Sequence, residues 1–291
     1  MPNNATMGRA MSDYQRIRPV ISHYEARARE AHGNEFVSVA TSHFSDLQQK
    51  YFSSIENPDY GSTIKKFCYL YKYSVAHGYF IYVALKSLRP KIRPSIFSRN
   101  PTRIACIGGG PGTEIIGLSR YFREIESENI GNRVEVTIFD REPSWEEACR
   151  RVLACVSPGI DIKLNFIAFD ATEPNSYQDL DFSNFHLVMA NFFASEIRKA
   201  NIVGASKAFW KHMFKSMGAG KIFLAVDFAD NQGAGWRYID SIIPSTATSV
   251  ISQSEHGMSC PDSKASILAL ETELDHRPNK NAQNLVKAVI T

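Results

Sequence analysis

Between Thr102 and Gly117 the chain reads TRIACIGGGPGTEIIG, and few folds accommodate such a stretch. Arg103–Ile107 is a short apolar run bounded by Pro101 and the glycines, the pattern of a strand buried on both faces of a parallel sheet. Gly108, Gly109, Gly110 and Gly112, with Pro111 inside the turn, let the backbone bend sharply and approach a ligand without Cβ clashes. A helix is expected to start near Gly112. Strand, glycine turn and helix N-terminus in that order make a nucleotide site, because the free N–H groups of the first turn attract its charged portion.

The spacing narrows the nucleotide. Gly108-x-Gly110-x-Gly112 is GxGxG, whereas dinucleotide binders use GxGxxG, and Thr113 stands where their last glycine falls. NAD is therefore disfavoured. Glycines also serve ordinary strand-to-helix turns, so the continuation matters more than their number. Val134–Phe139 is a second apolar run that ends in Asp140, an acid at a strand tip placed to accept both ribose hydroxyl hydrogens.

On these residues the chain resembles the class I S-adenosylmethionine (SAM) dependent methyltransferases, over roughly residues 101–274. Gly108–Gly112 matches that family's first motif, Asp140 its ribose-binding acid, and Asp170, after Leu164–Phe169, the position beside the adenine. Two departures stand out: Cys106 lies two residues before the first glycine, where the family usually has an acid, and Gly112 to Asp140 is longer than usual. Glu114 is expected to take over the missing acid's role. The forms GGGPGTE, Asp140-Arg141-Glu142-Pro143-Ser144-Trp145 and Phe192-Phe193-Ala194-Ser195-Glu196 resemble a set of uncharacterised animal methyltransferase-like proteins. More distantly, the first motif is similar to that of fungal large-subunit ribosomal RNA uridine-N3 methyltransferases. The resemblance implies an α/β fold with a Rossmann-like seven-stranded sheet, SAM as cofactor, and Gly108, Gly110, Gly112, Glu114, Asp140, Arg141, Asp170 and Ala171 as its binding residues.

Residues 1–100 read as a helical cap with a basic linker and 101–291 as the cofactor-binding part. Residues 1–12 look like a loose tail without an apolar signal core, so no secretion is expected and Asn4 is an idle sequon. Helical periodicity follows over Asp13–Glu30 and Asn34–Ser53. Thr63–Leu88 is unusually aromatic, yet Lys65, Lys66, Lys72 and His77 interrupt it, so it is no membrane span. Its aromatics read first as core and second as a wall facing substrate. Lys86–Arg103 holds Lys86, Arg89, Lys91, Arg93, Arg99 and Arg103 with no acid, either a solvated linker or a phosphate-tracking strip leading to the cofactor.

Further on, strands are expected at 103–107, 133–139, 162–169, 185–190, 220–227, 247–252 and 265–274, the last two pairing as an antiparallel edge hairpin. Helices are expected over Trp145–Ala154 and Arg198–Met217, a polar loop over 275–284, and a short helix or strand over 285–291. The five cysteines show no metal spacing and read as reduced thiols in a cytoplasmic or nuclear protein. No metal site, Ser-His-Asp order or P-loop lysine is apparent.

Ligands of open α/β sheets gather at the carboxyl ends of the strands, which selects Gly108–Glu114, Asp140–Arg141, Asp170–Ala171, Asn191–Glu196 and Asp227–Asn231. At the fourth tip Asn191 is a candidate to bond an acceptor's amide edge, Phe192 or Phe193 to stack on a planar ring, and Glu196 to take a proton. The simpler readings are core packing for the phenylalanines and a helix-dipole role for Glu196. A SAM-dependent methyltransferase is the first expectation, with RNA, and a uracil ring in particular, slightly preferred as acceptor on the basic 86–103 stretch, the aromatic third segment and the distant resemblance. The alternatives are a small-metabolite acceptor and a SAM-binding module without catalysis. The net charge of +3 does not by itself imply nucleic acid.

Overall fold

The computed structural model describes residues 11–52, 60–92, 96–124, 133–156, 161–199, 203–228, 234–260, 271, 273–274 and 281–291. Four helices come first: α1 (Asp13–His32), α2 (Phe36–Phe52), α3 (Thr63–Lys72) and α4 (Ser74–Leu88). A capping box starts α1, with Gln15 N–H on the Ser12 hydroxyl and the Ser12 N–H on the Gln15 side chain. The expected single segment over 63–88 is broken at Tyr73, whose φ of −118° departs from helix geometry.

The sheet strands are β1 (Thr102–Ile107), β2 (Arg133–Asp140), β3 (Asp161–Ala168), β4 (Leu187–Asn191), β5 (Ile222–Phe228), β6 (Thr248–Ser259) and β7 (Asn281–Ile290). Between them run α5 (Thr113–Glu124), α6 (Trp145–Val156), α7 (Pro174–Tyr177), α8 (Phe193–Lys199), α9 (Val203–Met217) and α10 (Ala234–Ile242). Their order across the sheet is β3-β2-β1-β4-β5-β7-β6. The pairings from β3 through β5 are parallel, and β7 runs antiparallel to both β5 and β6. The fold is an α/β, Rossmann-like sheet whose switch in strand order lies between β1 and β4, where such sheets open a crevice.

Strand alternation feeds two cores. Ile104, Cys106, Val136, Ile138 and Met189 pack with α1 to α6, while Ala105, Ile107, Phe139, Val188 and Phe223 pack with α8, α9 and α10. Both faces being covered explains why β1, β4 and β5 carry nearly unbroken apolar runs. Against the first face α4 and α5 approach so closely that a Cβ on Gly117 would stand 2.6 Å from the Gly78 carbonyl oxygen. That contact fixes the start of α4 against the start of α5.

Several expectations are corrected. The antiparallel partner of β6 is not 265–274: residues 265–270 lie outside the described residues, and Glu271, Glu273 and Leu274 are helical. The partner is β7, over residues expected as a loop and a short terminal element. The helix expected over 198–217 is two, α8 and α9, and α10 was not expected at all. The tail residues 1–10 lie outside the described residues.

The basic stretch does not lead to the cleft. It runs from the far end of α4 to the start of β1, whereas the glycine turn follows the end of β1, about 20 Å further at ~3.3 Å per strand residue. Lys86 pairs with Glu124 and Arg103 with Glu135, so these two of the stretch's cations are answered within the fold. Arg93 lies outside the described residues. Among the described residues no helix is long and apolar enough to cross a membrane.

Candidate cofactor and acceptor cleft

Where β1 ends, Gly108, Gly110 and Gly112 have φ of +66°, +48° and +83°, a region that side chains strain to enter. Space is refused as well. A Cβ on Gly108 would stand 2.2 Å from the Phe193 ring, and one on Gly112 2.9 Å from Ile115. The Gly108 N–H bonds the Phe139 carbonyl at 2.8 Å, pinning the turn to β2, and the Cys149 thiol donates to the Gly110 carbonyl at 3.1 Å.

Asp140 stands across this turn at the tip of β2. Its carboxylate accepts the Gly110 N–H at 2.7 Å and the Glu142 N–H at 2.9 Å. Burial pushes its carboxyl up to about 6, although the two N–H bonds oppose the rise. Each oxygen still has a lone pair to offer. At the next tip Asp170 accepts the N–H and hydroxyl of Thr172, at 2.8 and 2.6 Å, which orders the loop.

The cleft between these tips measures about 210 Å³. Of the expected cofactor residues, Gly108, Gly110, Asp140, Arg141, Asp170 and Ala171 line it. Gly112 and Glu114 lie behind it. Glu114 is buried, with Asn191 Nδ2 donating to it at 3.0 Å and the Thr113 hydroxyl at 3.2 Å. Burial lifts its carboxyl to about 7.

Of the residues expected at the acceptor side, Phe193 and Glu196, both in α8, line the cleft, whereas Asn191 and Phe192 do not. Asn191 is buried and turned to Glu114, and among the described residues its Oδ1 has no partner. Phe192 is buried too, with its ring stacked on His77 at 3.8 Å and 19°. Its φ of +58° is rare for a residue with a side chain and marks strain at the β4 tip. Asp227, at the β5 tip, is spent on the fold: it accepts the Ser195 N–H at 2.7 Å and so caps α8. The remainder of that expected segment, 229–231, lies outside the described residues.

On the opposite wall sequence reasoning missed Tyr60 and Trp145 and had Tyr69 only within its second reading of the aromatic segment. Tyr60, Tyr69 and Trp145 line the cleft and pack on one another with centroids 5.2 to 5.8 Å apart. Thus one of the third segment's aromatics, Tyr69, does face the site, whereas Phe67, Tyr71 and Phe80 are core. The signal was present, since Trp145 stands at the start of the helix after Asp140, but nothing local says which tyrosine faces inward. The ionisable lining is acidic: Asp140, Glu142, Asp170 and Glu196 against Arg141. Among the described residues no cluster of His, Cys, Asp and Glu is placed to hold a metal ion.

No family model matches the sequence, and no curated protein matches it. Among solved structures the chain is similar to loganic acid methyltransferase solved with S-adenosylhomocysteine (SAH), at 11% identity, over 81% of this chain and 97% of that one, TM-score 0.48. It is similar to a SAM-dependent methyltransferase from Methanosarcina mazei at 12% identity, over 69% and 98%, TM-score 0.45. It is similar also to a plantazolicin methyltransferase solved with SAH, at 10% identity, over 96% and 98%, TM-score 0.40. At these identities and scores the likeness adds nothing to the sheet order described above, which carries the fold.

Proposed function

We propose that the chain is a SAM-dependent methyltransferase acting on a small molecule held beneath its N-terminal helices. The observation that carries the reading is the pairing of a glycine-rich turn with Asp140 across it, at the switch point of the sheet. Gly108 and Gly110 leave room for the cofactor, Asp140 keeps lone pairs for ribose hydroxyls, and Asp170 and Ala171 border the adenine position. The acid-rich lining suits a ligand bearing positive charge.

The bound cofactor supplies an activated methyl group on a sulfonium centre. The chain's part is to align the acceptor behind that carbon and exclude water, and such positioning contributes up to roughly 7–11 kcal/mol in well-oriented systems. Tyr60, Tyr69 and Trp145 wall the acceptor side, and Glu196 is placed to take a proton from an acceptor that must lose one. Asn191 acts through Glu114 as a positioning residue. The reading as an RNA enzyme loses one of its supports, because the described part of the basic stretch lies at the other end of the strands and two of its cations, Lys86 and Arg103, are paired with acids of the fold.

Incubation with methyl-labelled SAM and fractionated cellular metabolites, RNA and protein tests this. Label is expected in the low-mass fraction. Label confined to RNA would overturn the acceptor assignment, and heat of binding with NAD but not with SAH would remove the cofactor. SAH binding with no label in any fraction would favour a SAM-binding module without catalysis.

A further inference from the structure

The space above the glycine turn has an acceptor on one side and a donor on the other. The point where a Gly110 Cβ would stand is 4.0 Å from Asp140 Oδ2 and 4.0 Å from Trp145 Nε1, and apart from Gly110 and its two chain neighbours no other atom of the described residues lies closer. Trp145 is 1% exposed and lines the cleft with its ring packed on Tyr60 and Tyr69, yet its indole N–H makes no hydrogen bond among the described residues. A buried indole N–H normally has an acceptor. This one stands beside the space where the cofactor is proposed to lie.

Acid and indole are held in one frame. The Glu142 N–H bonds Asp140 Oδ1 at 2.9 Å, and the Glu142 carbonyl accepts the backbone N–H of Trp145 at 3.1 Å, so the two groups flank a single tight loop. One turn along α6, Cys149 fastens that helix to the glycine turn through the Gly110 carbonyl. On the indole ring the buried Lys66 ammonium lies 5.7 Å from the centroid, held there by donating to Ser144 Oγ. A cation over the ring draws on its π electrons and leaves the N–H a stronger donor.

The acceptor for this N–H is an uncharged oxygen, because Asp140, Glu142, Asp170 and Glu196 already make the lining acidic. A hydroxyl satisfies both neighbours, since it gives its hydrogen to a carboxylate and keeps lone pairs for an N–H. Asp140 Oδ2 and Trp145 Nε1 are at most twice 4.0 Å apart. Two hydrogen bonds of about 2.8 Å, one at each end of a vicinal diol, together with the spacing of its oxygens, bridge such a gap. Resting on the cofactor reading above, we propose that Trp145 Nε1 donates to a ribose hydroxyl oxygen of the cofactor, so that Asp140 and Trp145 grip the diol from its two sides. The pair thereby selects an unmodified ribose. A missing hydroxyl leaves the indole or the carboxylate unanswered, and a phosphate on either oxygen sets negative charge against Asp140.

Calorimetry on the full chain compares SAH with its 2′-deoxy and 3′-deoxy forms, in the unaltered protein and in Trp145→Phe, which keeps a ring and removes the donor. The variant is expected to lose about two- to tenfold in affinity for SAH and for one deoxy form, and nothing for the form that lacks the hydroxyl met by the indole. Equal losses for all three would mean that the indole only packs, and no loss for any would mean that it meets no hydroxyl; either result overturns the subsite. Should Trp145→Phe not fold, the indole N–H proton resonances of the unaltered protein decide. One is expected to move downfield with SAH and to move less with one deoxy form, whereas resonances that respond alike to all three ligands overturn the proposal. Failure of the unaltered protein to bind SAH refutes the cofactor reading and the subsite with it; SAH binding that is indifferent to Trp145 refutes the subsite alone.

Discussion

Replacing Gly108 and Gly110 separately by alanine distinguishes a turn built for packing from one built for a ligand. Both residues have positive φ, so each alanine bears about 1–2 kcal/mol of backbone strain. At Gly108 the new methyl meets Phe193 at 2.2 Å, and that ring is already held edge-on against Trp210. Forced overpacking of this kind costs about 1–3 kcal/mol more. The sum is about 2–5 kcal/mol, a fall in Tm of at least about 4 °C at ~2–4 °C per kcal/mol. At Gly110 the nearest atoms, Asp140 Oδ2 and Trp145 Nε1, stand 4.0 Å away, so the fold bears the strain alone. The methyl then projects into the cleft, where the cofactor is proposed to lie. Gly110→Ala is expected to melt above Gly108→Ala and yet bind SAH worse than the unaltered protein. Thermal unfolding by circular dichroism and calorimetric titration with SAH read the two effects. The reasoning is refuted if Gly108→Ala is as stable as Gly110→Ala, or if Gly110→Ala keeps full affinity.

Asp140→Ala should weaken SAH binding by about 1.5–3 kcal/mol, the range for hydrogen bonds to a charged group, and titration calorimetry showing no change would mean that the ribose acid lies elsewhere. Glu114 titrates near 7 in the fold against 4.5 ordinarily, so its contribution is fully present below about pH 4.5 and is lost as pH rises through 7, by about 3 kcal/mol at most. Glu114→Gln, which keeps an acceptor for Asn191, is therefore expected to raise Tm relative to the unaltered protein at pH 8 and to leave it unchanged at pH 4; equal curves at both would show that the carboxylate is not under strain. Asp13 is buried and accepts from Arg120 and Arg123, tying α1 to α5, so Asp13→Ala takes the carboxylate away from two half-buried cations and should cost about 2–4 kcal/mol in urea unfolding.

The glycine turn and Asp140 were legible because backbone geometry dictates residue type there: φ values near +60° at a strand tip admit little besides glycine, and the acid follows the next apolar run. Strands β1 to β5 were legible for a similar reason, their apolar runs being short and bounded by turn residues. The partner of β5 was not. Strand β7 begins Asn-Ala-Gln-Asn, which reads as loop, and only its pairing with β5 and β6 makes it a strand. Nor was the β4 tip legible in detail. The left-handed conformation of Phe192 is imposed by its surroundings, its N–H bonding the Val226 carbonyl at 2.7 Å while its ring is stacked on His77, and no local pattern announces it. The acids of the cleft were found by position, whereas Tyr69 and Trp145 face it through the packing of α3 and α6 on the sheet.

The place of β7 bears on the order in which the protein is made. Its neighbours β5 and β6 leave the ribosome first, and they are not adjacent in the finished sheet. Until residue 290 has emerged, β5, buried along nearly its whole length in the native state, offers a bare and apolar hydrogen-bonding edge. A nascent chain that has already formed the cleft, all of whose strand tips lie between β1 and β4, thus still lacks the strand that closes its sheet. Synthesis that pauses between β6 and β7 exposes that edge for longest, and the pairing that ends the exposure spans more than fifty residues, the kind of long-range contact that forms slowly in general.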